Sequence, residues 1–205
     1  MLIDLNVVEF TEKTASKDAV PGGGSVAALS GAIASSLGAM VANLTIGKKK
    51  YLEVESEMEN LAEYFEIRRK LLIDLIDEDA SSFDGVIKGF KMPKDTEEDK
   101  KVRKEYLQKS FKVASEVPLK VAEVTSELFE SLEVIVQKGN QNAVTDGMVA
   151  AMLARTAILS ALLNVKINLG SIKDEEYVSC MNIKVNKLEK MAIEKEKYIL
   201  GLCQL

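Results

Sequence analysis

A chain of 205 residues without a single histidine must move protons near neutral pH with a carboxylate, lysine, tyrosine or cysteine of shifted pKa. That absence excludes Ser-His-Asp and Cys-His catalysis, the histidine-containing zinc sites and the zinc deaminases with their His-x-Glu signature. Two aspartates then stand out. Asp79 lies between Ile76 and Phe83 on the apolar stripe of a long helical pattern. An acid facing a core must be hydrogen-bonded, paired or protonated, and its placement serves a structural carboxylate and a site residue equally well. Asp146 follows Thr145 at the head of a nearly uncharged segment, where either side chain can cap free N–H groups.

The other candidates are binding groups. Pro21-Gly22-Gly23-Gly24-Ser25 opens a second uncharged run. Three glycines are costly to order, so they belong where something approaches the backbone closely. Ahead of a helix they also leave its first N–H groups open to a polar or anionic ligand. Gly22-x-Gly24-x-x-Ala27 imitates a dinucleotide fingerprint, but no strand precedes it and no acid lies about 20 positions on. Ser25-Val26 supplies no lysine for a P-loop. A plain helix start without ligand is the competing reading. Lys48, Lys49 and Lys50 close the run beside Tyr51, suited either to a helix C-terminus or to an anionic ligand. Asn140 and Asn142 sit in a polar loop, and Asn164 lies near the end of the helix that Asp146 begins. Asp146 and Asn164 share a helix face but stand about 27 Å apart along it, too far to touch one small group.

The elements that must position these groups are helical. The chain is 47% hydrophobic and 29% charged, with 3 prolines and no sustained period-two alternation, which predicts one domain over 1–205 built from helices. Helices are predicted at about 53–90, from Asp95 to Pro118, from Pro118 to about Gln137, over 145–167, and over 174–200, with a short amphipathic one near Leu5 to Phe10. The result is an all-α, up-and-down multi-helical bundle with two nearly uncharged helices at its centre. The run from Ser25 to Gly47 is long enough to raise the question of a membrane span. Its richness in Gly, Ala, Ser, Asn and Thr favours a buried helix that neighbours or a second subunit approach closely. A net charge of -5 argues against nucleic acid as a partner. Cys180 and Cys203 are too far apart for a Cys-x-x-Cys site, and Met1 to Asp4 begins no secretion signal, so a cytoplasmic protein with reduced thiols is expected.

Taken in order, Pro21 to Ser25, Lys-Lys-x-Tyr at Lys48 to Tyr51, Asp79 with Phe83, Gly139-Asn140-x-Asn142, Thr145-Asp146 and Asn164-Val165-x-x-Asn168 resemble the formiminotransferase-cyclodeaminase C-terminal family. The resemblance spans nearly the whole chain, with Thr145 where the family often has serine. It implies a helical homodimer acting on a tetrahydrofolate derivative as substrate, with no prosthetic group and no metal. It also implies activity as a methenyltetrahydrofolate cyclohydrolase or a formiminotetrahydrofolate cyclodeaminase. On this resemblance Asp146 and Asp79 are the catalytic acids. The turn at Gly22, Gly23, Gly24 and Ser25 meets the pterin or its substituents, Lys48 and Lys49 meet the glutamate tail, and Tyr51 is a further substrate-binding residue. Asn140, Asn142 and Asn164 complete the binding set. Both reactions need a proton carrier and a negative field over a cationic one-carbon centre. The competing class is a non-catalytic helical interaction protein whose small-residue helices only dimerise.

Overall fold

In the computed structural model, residues 1–203 are described, and among them every regular element is helical. The helices are α1 (Val7–Thr14), α2 (Gly23–Thr45), α3 (Glu55–Lys91), α4 (Glu97–Ser126), α5 (Leu128–Lys138), α6 (Val144–Leu169) and α7 (Glu175–Leu200). Short 3-10 turns at Leu2–Asp4, Lys49–Val54 and Gln141–Ala143 connect them.

Three of the polar helices, α1, α4 and α7, begin with side-chain caps. Asn6 accepts from Glu9 N–H at 3.0 Å while Glu9 accepts from Asn6 N–H at 3.1 Å. Thr96 and Asp99 form the same reciprocal box at the head of α4, and Asp174 accepts from Tyr177 N–H at the head of α7. Such caps satisfy N–H groups that the first helical turn leaves without partners. The uncharged helices α2 and α6 lack them and are held by packing.

Small residues let α2 lie close to its neighbours. A side chain at Gly38 would come within 2.7 Å of the Phe65 ring, and one at Gly31 would meet the Thr125 hydroxyl at 2.7 Å. Ser35 Oγ donates to the Phe65 carbonyl at 2.6 Å, fixing α2 against α3. On α6, Ala150, Ala154, Ala157 and Ala161 are fully buried. Gly23, at the start of α2, stands against Asn164 near the end of α6. Asn140, before α6, donates to the Leu44 carbonyl near the end of α2. The two helices are therefore antiparallel neighbours, with α3 on the far side of α2, α7 on the far side of α6, and α4 beneath both.

Two expectations need correction. Pro118 does not separate two helices; α4 runs through it to Ser126 and the break falls at Glu127. Proline lacks the N–H that would bond the carbonyl four residues earlier. Here that carbonyl, on Ala114, accepts instead from Asn168 Nδ2 at 2.8 Å. The second correction is at α6, which starts at Val144 with Ala143 in the capping position. Thr145 and Asp146 therefore sit inside the first turn and do not cap it. Asn140 instead organises the approach, accepting from Asn142 N–H at 3.1 Å.

Candidate functional site

The first group of side chains gathers at the head of α2. Asp79, carried by α3, accepts from Ser25 Oγ at 2.9 Å and also from the Ser25 backbone. It thus serves as a cap donated by another helix, on an end with no cap of its own. The glycines explain how it fits: a side chain at Gly24 would overlap the Asp79 carboxylate, and one at Gly23 would come within 2.9 Å of Asn164 Nδ2. Neither glycine has the positive φ that would demand it on backbone grounds. The close approach expected of this turn is therefore filled, at Gly23 and Gly24, by the protein's own side chains. Gly22 would meet only the Ala19 carbonyl, at 3.4 Å, and is the glycine with room beside it.

Burial pushes the Asp79 carboxyl above the ordinary aspartate value, and the Ser25 hydrogen bonds pull it back only in part. A carboxyl shifted upward by burial holds a proton more readily than an ordinary aspartate, which suits it to give and take one. Asn164 completes the wall, its Nδ2 donating to the Ser160 carbonyl at 2.9 Å.

The second group lies at the other end of α2. Asn140 N–H donates to Thr45 Oγ1 at 2.8 Å and its Nδ2 to the Leu44 carbonyl at 2.8 Å, so this residue ties the loop to the helix end. Gln141 N–H donates to the Tyr51 hydroxyl at 3.0 Å. The Lys48 to Lys50 run does not sit on the helix terminus, since α2 ends at Thr45 and Gly47 turns the chain at φ 74°. Lys48, Lys49 and Asn142 are exposed, and Asp146 is half-buried in the first turn of α6.

The structure thus brings Gly22, Gly23, Gly24, Ser25, Asp79 and Asn164 together, and separately Lys48, Lys49, Tyr51, Asn140 and Asn142 with Asp146 close by in the chain. Ser25 and Thr45 bound the two groups on one helix and lie about 30 Å apart at 1.5 Å per residue. Asn168 also belongs to the first group: its Nδ2 bridges the Ala114 carbonyl and, at 2.9 Å, the Asn164 carbonyl. Its signal in the sequence is a proline in a helical stretch, which leaves a carbonyl needing a donor. No group of three or more His, Cys, Asp or Glu placed to hold a metal occurs among the described residues.

This arrangement has relatives. The profile of the Formiminotransferase-cyclodeaminase family matches residues 6–187. The chain belongs to this family. Within it, the methenyltetrahydrofolate cyclohydrolase of Methylorubrum extorquens is 39% identical over 168 residues, covering 82% of this chain and 81% of that protein. The formimidoyltransferase-cyclodeaminase of Rattus norvegicus is 32% identical over 200 residues, covering 98% of this chain. The chain spans only 37% of that longer protein. The crystal structure of formiminotetrahydrofolate cyclodeaminase from Thermotoga maritima superposes with a TM-score of 0.88 at 33% identity, covering 98% of this chain and 97% of that one.

Proposed function

We propose that this chain is a folate one-carbon enzyme that makes or opens the five-membered ring of 5,10-methenyltetrahydrofolate, with Asp79 as its proton carrier. The observation that carries the reading is the partly buried Asp79 carboxyl, shifted upward by burial and bonded to Ser25 at the head of α2. The family relatives named for both reactions support it. The substrate is itself the folate derivative, so the mechanism calls on no further prosthetic group.

In the cyclohydrolase direction, water attacks the methenyl carbon and gives one proton to a carboxylate. The C–N5 bond of the adduct then breaks as N5 is protonated, leaving the N10-formyl form and releasing one proton overall. In the cyclodeaminase reaction, N10 attacks the formimino carbon and gives up its proton, the formimino nitrogen takes one proton to become the adduct's amine, and that amine gains a second before leaving as ammonia, with net uptake of one proton. Both require the same carboxyl to alternate between acid and base over a cationic carbon, which the partly buried Asp79 is suited to do. Asp146 is the second carboxylate; about 27 Å along α6 from Asn164, it joins Asp79 only from the second subunit of the homodimer, orienting the reactant or balancing positive charge. Gly22, with room beside it, and the first N–H groups of α2 receive the pterin, while Lys48 and Lys49 of the second subunit meet the glutamate tail.

The protein works as a homodimer in the cytoplasm. Helix α2 and the stretch Gln141–Leu169 that contains α6 are both long and apolar enough to cross a membrane by length and composition, yet about half of each is buried against the other helices. This supports a packed core for one side of each helix and a subunit interface for the other.

The test follows the methenyl chromophore in parallel assays, one starting from methenyltetrahydrofolate and one from formiminotetrahydrofolate. Wild type is expected to act on at least one, and Asp79→Asn to lose about two to four powers of ten in turnover, as loss of a general acid–base does. Near-normal turnover by Asp79→Asn refutes its role. The absence of calorimetric heat with tetrahydrofolate refutes the folate reading itself.

A further inference from the structure

A cavity of about 300 Å³ opens on the seam between α2 and α3, close to the Asp79 carboxylate. The two helices run antiparallel, since Asp79 meets Ser25 at one end of the seam while Phe65 meets Ser35 and Gly38 further along it. Passing from that first end into the seam, Leu29 and Ile33 on α2 and Ile76 and Ile73 on α3 line the cavity on the bundle side. The N-terminal segment walls it on the other, through Leu2 and Phe10, which are only 7% and 8% exposed. Leu2 N–H donates to Asp77 Oδ1 at 2.6 Å, so this wall is pinned to the same turn of α3 that carries Asp79. Among the described residues the lining bears no charge, and its one hydroxyl, on Thr11, is spent on the Val8 carbonyl at 2.8 Å.

We infer that this cavity receives the aminobenzoyl ring of the folate substrate, with Leu29 and Ile76 as positioning residues. This rests on the folate reading above and deepens it. A folate derivative has three parts of different chemistry: a pterin with a polar edge, an uncharged aryl ring and an anionic glutamate tail. Seating the pterin or the tail in an apolar cavity would strip polar groups of water and give them no partner. The aryl ring carries no such cost and gains from burial. A volume at the small end of the range for ligand pockets suits a single ring. The spacing agrees with the chemistry. The carbon that Asp79 serves is bonded to N10, and N10 is bonded directly to the aryl ring, so the ring begins two bonds from the reacting carbon. Leu29 lies about 6 Å along α2 from Ser25, and Ile76 about 4.5 Å along α3 from Asp79. Gly22, beside which the pterin is received, lies on the other side of Ser25. Pterin, one-carbon unit and aryl ring thus follow one another along the seam in the order in which the substrate bonds them. The cavity is continuous with the catalytic group, and gripping the ring fixes the direction from which N10 meets the reacting carbon.

Leu29→Phe fills the cavity from α2 and Ile73→Phe fills it from α3, so one variant stands in if the other fails to fold; circular dichroism and the thermal midpoint identify the folded ones. Calorimetry then compares tetrahydrofolate with 6-methyltetrahydropterin, which has the pterin but neither ring nor tail. A folded variant should bind tetrahydrofolate about 10–100-fold more weakly than wild type does, and the pterin equally well. Equal losses for the two ligands, or no loss for tetrahydrofolate, overturn the inference. The second readout is a titration with 4-(methylamino)benzamide, an uncharged fragment that keeps the aryl ring and its nitrogen. It should shift the methyl resonances of Leu29, Ile73 and Ile76 in wild type and leave the filled variant unchanged. Tetrahydrofolate binding without those fragment shifts also overturns the inference. If wild type binds no tetrahydrofolate, the folate reading falls, while the fragment titration still decides whether the cavity takes an aryl ring.

Discussion

Replacing Asn168 with leucine isolates the bond that lets α4 continue through Pro118. The Ala114 carbonyl lies in a buried stretch, with Ala114 only 3% exposed, and the proline ring denies it the usual donor four residues on. Asn168 Nδ2 supplies the replacement at 2.8 Å, using its other hydrogen on the Asn164 carbonyl at 2.9 Å. The second loss is minor, because the Asn164 carbonyl has its own helical partner. The first leaves a buried carbonyl unpaired, at a cost of about 1–3 kcal/mol. The substitution Pro118→Ala restores an N–H aimed at that same carbonyl. Asn168→Leu should therefore cost about 1–3 kcal/mol when Pro118 is present and less than about 1 kcal/mol in the Pro118→Ala background. Urea denaturation of wild type, both single variants and the double variant gives the four free energies, provided the m-values agree. Equal costs of Asn168→Leu in the two backgrounds would refute the reasoning. A second readout follows from Asn164: if Asn168 also positions that residue against Gly23, Asn168→Leu should raise KM, and Pro118→Ala should not restore it.

Gly24→Ala should destabilise the protein by about 1–3 kcal/mol through forced movement of Asp79, whereas Gly22→Ala, meeting only the Ala19 carbonyl, should shift the thermal midpoint little; equal midpoints for the two variants would contradict the packing at the head of α2. Gly23→Val should weaken folate binding more than it lowers the urea midpoint, because the side chain it meets is the terminal amide of Asn164; the reverse order of effects would count against it. Because the Asp79 carboxyl is raised above its ordinary value of 3.8, folding favours its protonated form. That contribution is fully present below the unfolded value and is lost as pH rises through the native one. Urea midpoints of wild type relative to Asp79→Asn should accordingly fall as pH rises above about 4 and then level off; a flat or rising difference would show that burial does not dominate at Asp79.

How much of this was legible beforehand depends on how far the deciding partner lies along the chain. The capping boxes at Asn6 and Thr96 span three residues and can be read directly, and so can the helical stripes. Asp79 was visible because it interrupts one of those stripes, although its partner Ser25 lies 54 positions away. The 27 Å gap between Asp146 and Asn164 follows from helix rise alone, at about 1.5 Å per residue. What local rules missed were interactions in which a distant residue replaces a local one. Pro118 reads as a helix boundary because its missing N–H is a local fact, while the donor that offsets it comes from another helix. Gly23 and Gly24 read as an opening for a ligand because nothing nearby says that Asp79 and Asn164 occupy the space. Thr145 and Asp146 read as caps because Asn140, which shapes the turn before α6, does so through Leu44 and Thr45 at the end of α2.

The uncovered side of α2 and α6 belongs to the same class of facts. Composition shows that both helices are apolar all round, and an all-round apolar helix is expected to be buried on every side. The fold covers three sides of each, with α4 beneath, α2 and α6 against one another, and α3 and α7 as flanks. Leu163 and Ile167 are left in water. That fourth side is legible only in the folded structure, because it is the arrangement of α3, α4 and α7, and not the composition of α2 and α6, that decides which apolar residues stay exposed.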